Sequence, residues 1–208
     1  AYYGLKRLNE KPGKGLSSII KICGLDKHVI TIDDIVFKIG PRINAAGRME
    51  VDSDDENAAP SGGHSAVYLM VARDEEVASE YGAFIDTCNQ DRKNIDRSIT
   101  QEAHEIIESR PELKNRKSTV IYNPKWMKGI VGIVASRLIE TYYRPTVVLT
   151  MSNGYVTGSA RSVPGFDLYQ AVESCADLLE NFGGHIYAAG LTMRPENVDE
   201  FTRRFNAY

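Results

Sequence analysis

Three short clusters in the chain carry residues suited to holding an anion. The first is Gly158-Ser159-Ala160-Arg161-Ser162, and the second is Phe182-Gly183-Gly184-His185 leading into Tyr187-Ala188-Ala189-Gly190. An arginine presents a planar fork of donors that matches phosphate or carboxylate, and paired glycines let a backbone approach a ligand or expose its amides. A histidine beside them adds a donor. The third cluster, Arg42-Ile43-Asn44-Ala45-Ala46-Gly47-Arg48, sets two arginines around an Asn that can fix a loop through its own backbone. Gly-Gly-His alone is a weak motif. The same residues also read as a glycine helix stop, a solvated arginine, a basic loop and a histidine satisfying a backbone group, and local pattern leaves both readings open.

The elements that must position the first two clusters follow from periodicity. Thr146–Met151 and Tyr155–Ser159 are β-rich runs around Ser152-Asn153-Gly154, and Asn-Gly accepts the positive φ angles of a tight hairpin turn. That hairpin delivers Arg161 and Ser162 at a strand end. Asp167 with Gln170 makes a capping-box start for a helix through Leu168, Ala171, Val172, Cys175 and Leu179, with Gly183 as its C-terminal stop. Gly-Gly-His is therefore expected at a helix end. Upstream, a strand over Ser118–Tyr122, a helix over Gly129–Tyr143 and the strand at Thr146 give a β-α-β order. The loop Asn123-Pro124-Lys125-Trp126-Met127-Lys128-Gly129 opens that helix, where unpaired N–H groups and the dipole attract anions. Trp126 stacks on a base in one reading and fills the core in the other. Tyr187–Met193 is expected as a further strand, and Pro195 starts a last helix with Val198, Phe201 and Phe205 inward.

The first part of the chain reads as helical. Two short helices over residues 1–23 break at Lys11-Pro12-Gly13 and leave apolar faces at Leu5, Leu8, Ile19 and Ile20 exposed. Thr31 with Asp34 opens another, carrying Ile32, Ile35, Val36 and Ile39, which is expected to stop at Gly40-Pro41 and leave Arg42–Arg48 with little regular structure. Residues 50–63 read as an acidic exposed loop. After Asp52, Asp54 and Glu56 an EF-hand would need Gly and a final Glu where Asn57 and Gly63 stand, so that site is excluded. Gly62-Gly63-His64 echoes the later triplet without any matching context. A short helix follows at Ala66–Val71.

Asp74 then caps a much longer pattern, with Val77, Tyr81, Ile85, Cys88, Ile95, Ile99, Ala103 and Ile106 recurring before Pro111. Roughly 34 helical residues would span about 50 Å, more than one compact domain. We read this helix as a connector between two lobes, its polar middle Asn89–Asn94 bare to solvent; a coiled-coil arm fits less well, because the apolar positions are not Leu-rich. The fold class is α/β: a helical segment over 1–73, a long connecting helix over 74–109, and an α/β domain with a mixed sheet over 110–208.

The composition is ordinary for a globular protein, with 42% hydrophobic and 25% charged residues in 208. Its net charge of −3 averages opposed blocks: +5 over residues 1–49, −11 over 50–109, +7 over 110–165 and −4 over 166–208. Nucleic-acid binding responds to the local field, so the two basic blocks matter more than the mean. Cys23, Cys88 and Cys175 form no metal-type pair and suit reduced thiols in a cytoplasm. No apolar run reaches the ~18 residues of a membrane span, and no signal peptide opens the chain. Ala1-Tyr2-Tyr3-Gly4-Leu5 reads as the tail of a helix, so a fragment is expected.

Five ordered stretches together resemble the RecJ family, single-strand-specific 5′→3′ DNA exonucleases of the DHH phosphoesterase superfamily. They are Gly40-Pro-Arg-Ile-Asn-Ala-Ala-Gly-Arg48; Trp126 with Gly129-Ile-Val-Gly-Ile-Val-Ala-Ser-Arg137; Arg144-Pro145; Gly158-Ser-Ala-Arg-Ser-Val-Pro-Gly-Phe-Asp167; and Phe182-Gly-Gly-His185. The resemblance implies a DHH domain with two Mn²⁺ or Mg²⁺ ions on Asp and His side chains, joined by a long helix to a DHH-associated domain that grips single-stranded DNA. No Asp-His-His and no Asp-x-Asp precede residue 40, so the catalytic and metal residues are expected outside this chain and the chain alone is expected to be inactive. Residues 1–73 then correspond to the last part of the DHH domain and 110–208 to the DHH-associated domain. By the same resemblance Arg42, Asn44 and Arg48 contact the strand, while Ser159, Arg161, Ser162, Gly183, Gly184 and His185 hold phosphates and Trp126, Lys125, Lys128 and Gly129 extend the path. Repair proteins are possible partners of the full-length protein. The sequence departs from the family at Met127, where a His is usual, and in the longer acidic segment Asp52–His64.

Two other readings fit parts of the same residue pattern. A small-substrate DHH phosphodiesterase for cyclic dinucleotides or very short RNA also carries Gly-Gly-His, but a short ligand needs neither the long helix nor Arg42–Arg48. A non-catalytic RNA-binding module like the DHH-associated region of alanyl-tRNA synthetase leaves Arg42–Arg48 unexplained. Affinity that rises with DNA length separates the first, and preference for structured RNA the second.

Overall fold

The computed structural model describes residues 1–49 and 62–208. The acidic loop and the EF-hand comparison over 50–63 therefore fall almost wholly outside the described residues. Two compact units emerge, Ala1–Asn94 and Ile95–Tyr208.

In the first unit, α1 (Tyr2–Glu10) and α2 (Lys14–Ile22) break at Pro12-Gly13 as expected. A one-turn α3 (Ile32–Asp34) is capped by Thr31, whose hydroxyl accepts from the Asp34 amide while the Asp34 carboxylate accepts from the Thr31 amide. This reciprocal pair satisfies donors that a helix start leaves open. The chain does not stop at Gly40-Pro41. A π turn over Ile35–Ile39, in which the Gly40 N–H reaches back to the Ile35 carbonyl, runs straight into α4 (Gly40–Arg48). Pro41 thus sits in the first turn of α4, where its missing N–H breaks no α-type bond of that helix. The segment Arg42–Arg48, expected to be irregular, is helical.

After α5 (Gly62–Val71) comes α6 (Glu75–Glu108), 34 residues long, whose first amides bond the Asp74 carboxylate. It passes from the first unit into the second. Ile19, Ile20, Leu25, Ile30, Ile39, Ala46, Leu69 and Ile85 form the first unit's core, with Leu5 and Leu8 packed against them. The apolar faces expected to be exposed are therefore packed into this core, to which α5 and α6 contribute Leu69 and Ile85. Close crossings make this possible: a Cβ on Gly15 would overlap the Leu69 carbonyl, and one on Gly82 the Ser18 hydroxyl. Along α6 the buried stripe is Ala78, Ile85, Ile99, Ala103 and Ile107, so Val77 points outward and Ile107 lies deeper than Ile106. The polar middle is not bare throughout either: Asn89 is only 1% exposed, its Oδ1 accepts from Arg92, and its Nδ2 has no hydrogen-bond partner among the described residues.

The second unit is a five-stranded mixed sheet. After α7 (Pro111–Lys114) come β1 (Thr119–Tyr122), α8 (Lys128–Tyr142), β2 (Thr146–Ser152) and β3 (Tyr155–Arg161). Then follow α9 (Leu168–Glu173), β4 (Leu179–His185), β5 (Ala188–Met193) and α10 (Val198–Ala207). The strand order is β1-β2-β3-β5-β4, with β1 parallel to β2 and the other pairs antiparallel. The β2–β3 turn is the expected Asn153-Gly154, at φ 50° and 77°. One face of the sheet packs Val147, Leu149, Val156, Ala160, Leu191 and Met193 against Leu168, Val172, Phe201 and Phe205 of α9 and α10. Helix α8 lies against β2 and β3 on the opposite face.

Helix α9 ends ten residues before Gly183, not at it. The Ser174 hydroxyl turns back onto the Ala171 carbonyl, and a 3₁₀ turn at Ala176–Leu178 leads into β4. Gly183 and His185 pair with β5, so Gly-Gly-His is part of an edge strand and not a helix terminus. Buried Arg144 organises the start of the domain, donating to Thr119 Oγ1 and to the carbonyls of Leu113, Lys114 and Arg116. Its guanidinium also lies 5.2 Å from the Tyr142 ring centre. Burial and a hydrogen bond to Glu108 push the Tyr142 phenol up to about 12.

Candidate functional site

The sheet register gathers most of the expected anion-binding residues of the second unit. Arg161 of β3 stands opposite Ala188 of β5, and Ala188 opposite His185 of β4. One step inward, Ser159, Gly190 and Gly183 align across the same strands. Side chains two apart on a strand share a face, so Ser159 and Arg161 project together, away from the core that holds Ala160. A Cβ added to Gly132 of α8 would lie 3.0 Å from both Arg161 Nη2 and Ser159 Oγ, which places these side chains against that helix.

Beyond them the sheet is paved with backbone. Gly183 and Gly190 are exposed, a Cβ on Gly183 would meet nothing within 4 Å, and one on Gly190 would meet only the Gly158 carbonyl, at 3.9 Å. Their missing side chains leave a shallow, open floor. Gly184 differs: at φ 155° its Cβ would overlap the Ala188 carbonyl oxygen and lie 2.6 Å from Ala189 Cα. It is a structural glycine that lets β4 approach β5.

Donors line this floor. Arg161 Nη1 donates to Ser159 Oγ at 2.7 Å and to the Ala160 carbonyl at 2.8 Å, so the guanidinium is held in place before any ligand arrives. At the far side the Tyr187 amide donates to His185 Nδ1 at 3.2 Å. An imidazole that accepts at Nδ1 carries its proton on Nε2 when neutral, leaving a donor on the exposed side of the ring. Fixed donors around a side-chain-free floor suit an anion lying along the backbone, and phosphate fits that description.

Other expected site residues are placed differently. Lys125 and Lys128 are exposed at the start of α8, with Gly129 partly covered. Trp126 is 4% exposed, its Nε1 donates to Glu102 at 2.9 Å and its carbonyl accepts from Thr150, so its ring is buried in the core. Ser162 directs its hydroxyl into its own loop, towards the Val163 and Phe166 carbonyls. In the first unit Arg42 is bound to Asp86 and to the Lys38 carbonyl, while Asn44 and Arg48, one helical turn apart on α4, are exposed.

One residue of the floor and one beside it are not singled out by sequence reasoning. Gly190 is visible as the glycine of Ala188-Ala189-Gly190, but only the register makes it Gly183's partner; Gly132, within the Gly129–Arg137 stretch, makes room for Arg161 and Ser159. Among the described residues no group of three or more His, Cys, Asp or Glu side chains is placed to hold a metal ion.

Residues 115–208 match the DHHA1 domain family. Over 99% of its length the chain is 36% identical to the single-stranded-DNA-specific exonuclease RecJ of Bacillus subtilis, covering 25% of that protein. It is 32% identical to RecJ of Haemophilus influenzae, covering 35% of it. The crystal structure of Thermus thermophilus RecJ in complex with Mn²⁺ superposes with a TM-score of 0.82 at 27% identity, over 99% of this chain and 28% of that one. The chain thus spans a quarter to a third of the length of these relatives.

Proposed function

We propose that this chain, which matches the DHHA1 domain family over residues 115–208 and RecJ exonucleases over nearly its whole length, belongs to the RecJ family and is the strand-gripping portion of a metal-dependent 5′→3′ single-stranded-DNA exonuclease. In this reading residues 1–73 complete the catalytic domain, 74–109 connect, and 110–208 hold the strand. The Mn²⁺ or Mg²⁺ of the reaction is held by residues outside this chain, and the enzyme works in the cytoplasm. No helix among the described residues is long and apolar enough to cross a membrane.

The observation that carries the proposal is the floor of Gly183 and Gly190 with Arg161, Ser159 and His185 around it. A strand laid there meets donors for its phosphates and no side chain in its way. Arg161 is the anchor, His185 Nε2 the second donor, and Lys128 adds long-range attraction at the mouth of α8. On the first unit, Asn44 and Arg48 of α4 are nucleic-acid contacts in their own right in this reading.

Fluorescence anisotropy with labelled single strands of increasing length, at several salt concentrations, tests this. The chain should bind single strands better than duplex, more tightly with length and less tightly with salt. Gly183→Val fills the floor at a position with space for it and should weaken binding by about tenfold or more. A chain that binds no single strand at low salt, or a Gly183→Val variant that binds as well as its parent, would sink the proposal. With Mn²⁺ added, the isolated chain should release no nucleotides.

A further inference from the structure

The hairpin turn joining β4 to β5 consists of Ile186 and Tyr187, exposed at 47% and 48%. Tight two-residue turns favour Gly, Asn and Asp, which tolerate the backbone and face water without cost. Two consecutive large apolar residues there serve neither need. Neither has a positive φ, neither belongs to a core cluster of the domain, and the Tyr187 ring has no aromatic or hydrogen-bond partner among the described residues.

The backbone beneath them is nevertheless fixed from three sides. The Ser162 amide donates to the Tyr187 carbonyl at 3.0 Å, the Leu168 amide to the Ile186 carbonyl at 3.2 Å, and the Tyr187 amide to His185 Nδ1 at 3.2 Å. Tyr187 is thereby bonded to both ends of the Arg161–Ala188–His185 row, directly through His185 and through the residue after Arg161. An unoccupied aromatic ring on a fixed backbone, next to phosphate donors, matches the way single-strand binders combine a charged track with a stacking platform.

We infer that Tyr187 is a base-stacking residue, receiving the nucleobase whose phosphate is held by the Arg161–His185 row. This inference rests on the strand-gripping reading and takes the place in it that Trp126, being buried, leaves open. Stacking uses the face that every base presents, so the contact is indifferent to sequence. It adds affinity without neutralising a phosphate.

Anisotropy titrations of the chain and its Tyr187→Ala and Tyr187→Phe variants, with matched normal and abasic strands, separate the possibilities. Tyr187→Ala should bind the normal strand roughly fivefold or more weakly with an unchanged salt slope, and Tyr187→Phe should bind like the parent. On the abasic strand parent and Tyr187→Ala should be equal. An unchanged Tyr187→Ala affinity for the normal strand overturns the inference, as does an equal loss on the abasic strand, which would make the residue structural. If Gly183→Val loses binding while Tyr187→Ala does not, the strand-gripping reading survives and the stacking role falls. If the parent binds no single strand, both fall.

Discussion

Arg42 and Asp86 are joined by a hydrogen-bonded ion pair, Nε to Oδ1 at 2.7 Å, that ties α4 to α6 within the first unit. The Arg42 side chain is only 15% exposed, and its Nη1 also donates to the Lys38 carbonyl at 2.9 Å, in the π turn just ahead of α4. A basic residue that sequence logic assigns to the nucleic acid is thus, in the free chain, part of the scaffold that presents Asn44 and Arg48. A double-mutant cycle with Arg42→Ala and Asp86→Ala, read by urea denaturation, should give a coupling of about 1 kcal/mol. A coupling near zero would mean that the two side chains act independently and that Arg42 is available to a ligand at no structural cost.

Adjacent glycines of β4 should answer the same substitution in opposite ways. In Gly184→Ala the new methyl group is driven into backbone, the Ala188 carbonyl and Ala189 Cα, at a φ that side chains rarely adopt. Backbone cannot swing aside as a long side chain would, so a loss of about 2–4 kcal/mol is expected. Gly183→Ala adds its methyl to open solvent in an extended strand and should change stability by less than about 0.5 kcal/mol. Equal urea midpoints for the two variants would contradict the described path of β4 beside β5.

What could be read in advance depended on whether the signal was local. The Asn153-Gly154 hairpin, the Thr31 and Asp74 caps, the β1-α8-β2 unit and the inward Phe201 and Phe205 all follow from neighbours within a few residues, and all are present. Gly183 was misread because its neighbours fit two elements equally well: Leu179 continues the helical spacing of Leu168 to Cys175, and only pairing with β5, a long-range contact, makes it a strand. Pro41 was misread as a stop because a π turn is invisible to a 3.6-residue pattern. The neighbours of Trp126 fit a stacking and a core residue equally, and its burial involves Glu102, 24 positions earlier, which accepts its N–H. The floor itself has no sequence signature beyond its glycines, since its chemistry is the register that brings Ser159, Gly190 and Gly183 into one row.

The capping box at Thr31 gives the first unit an acid-sensitive joint. Hydrogen bonds from Lys38, then from the Thr31 backbone and side chain, hold the Asp34 carboxyl at about 2, below its ordinary 3.8. A carboxyl whose folded pKa is depressed stabilises the fold only while ionised: the contribution is complete above the ordinary value, shrinks as pH falls below it, and is gone once pH passes through about 2. The helix start at α3 leads directly into the π turn and α4, so its loosening would reach the segment that carries Asn44 and Arg48. Melting curves of the chain and of Asp34→Asn, which cannot ionise, should therefore be furthest apart above about pH 4 and converge towards pH 2. A carboxyl carbon titration of Asp34 in the folded chain should show its midpoint near 2. A midpoint at the ordinary carboxylate value, or melting curves whose separation does not change with pH, would mean that neither Lys38 nor Thr31 holds this side chain in solution.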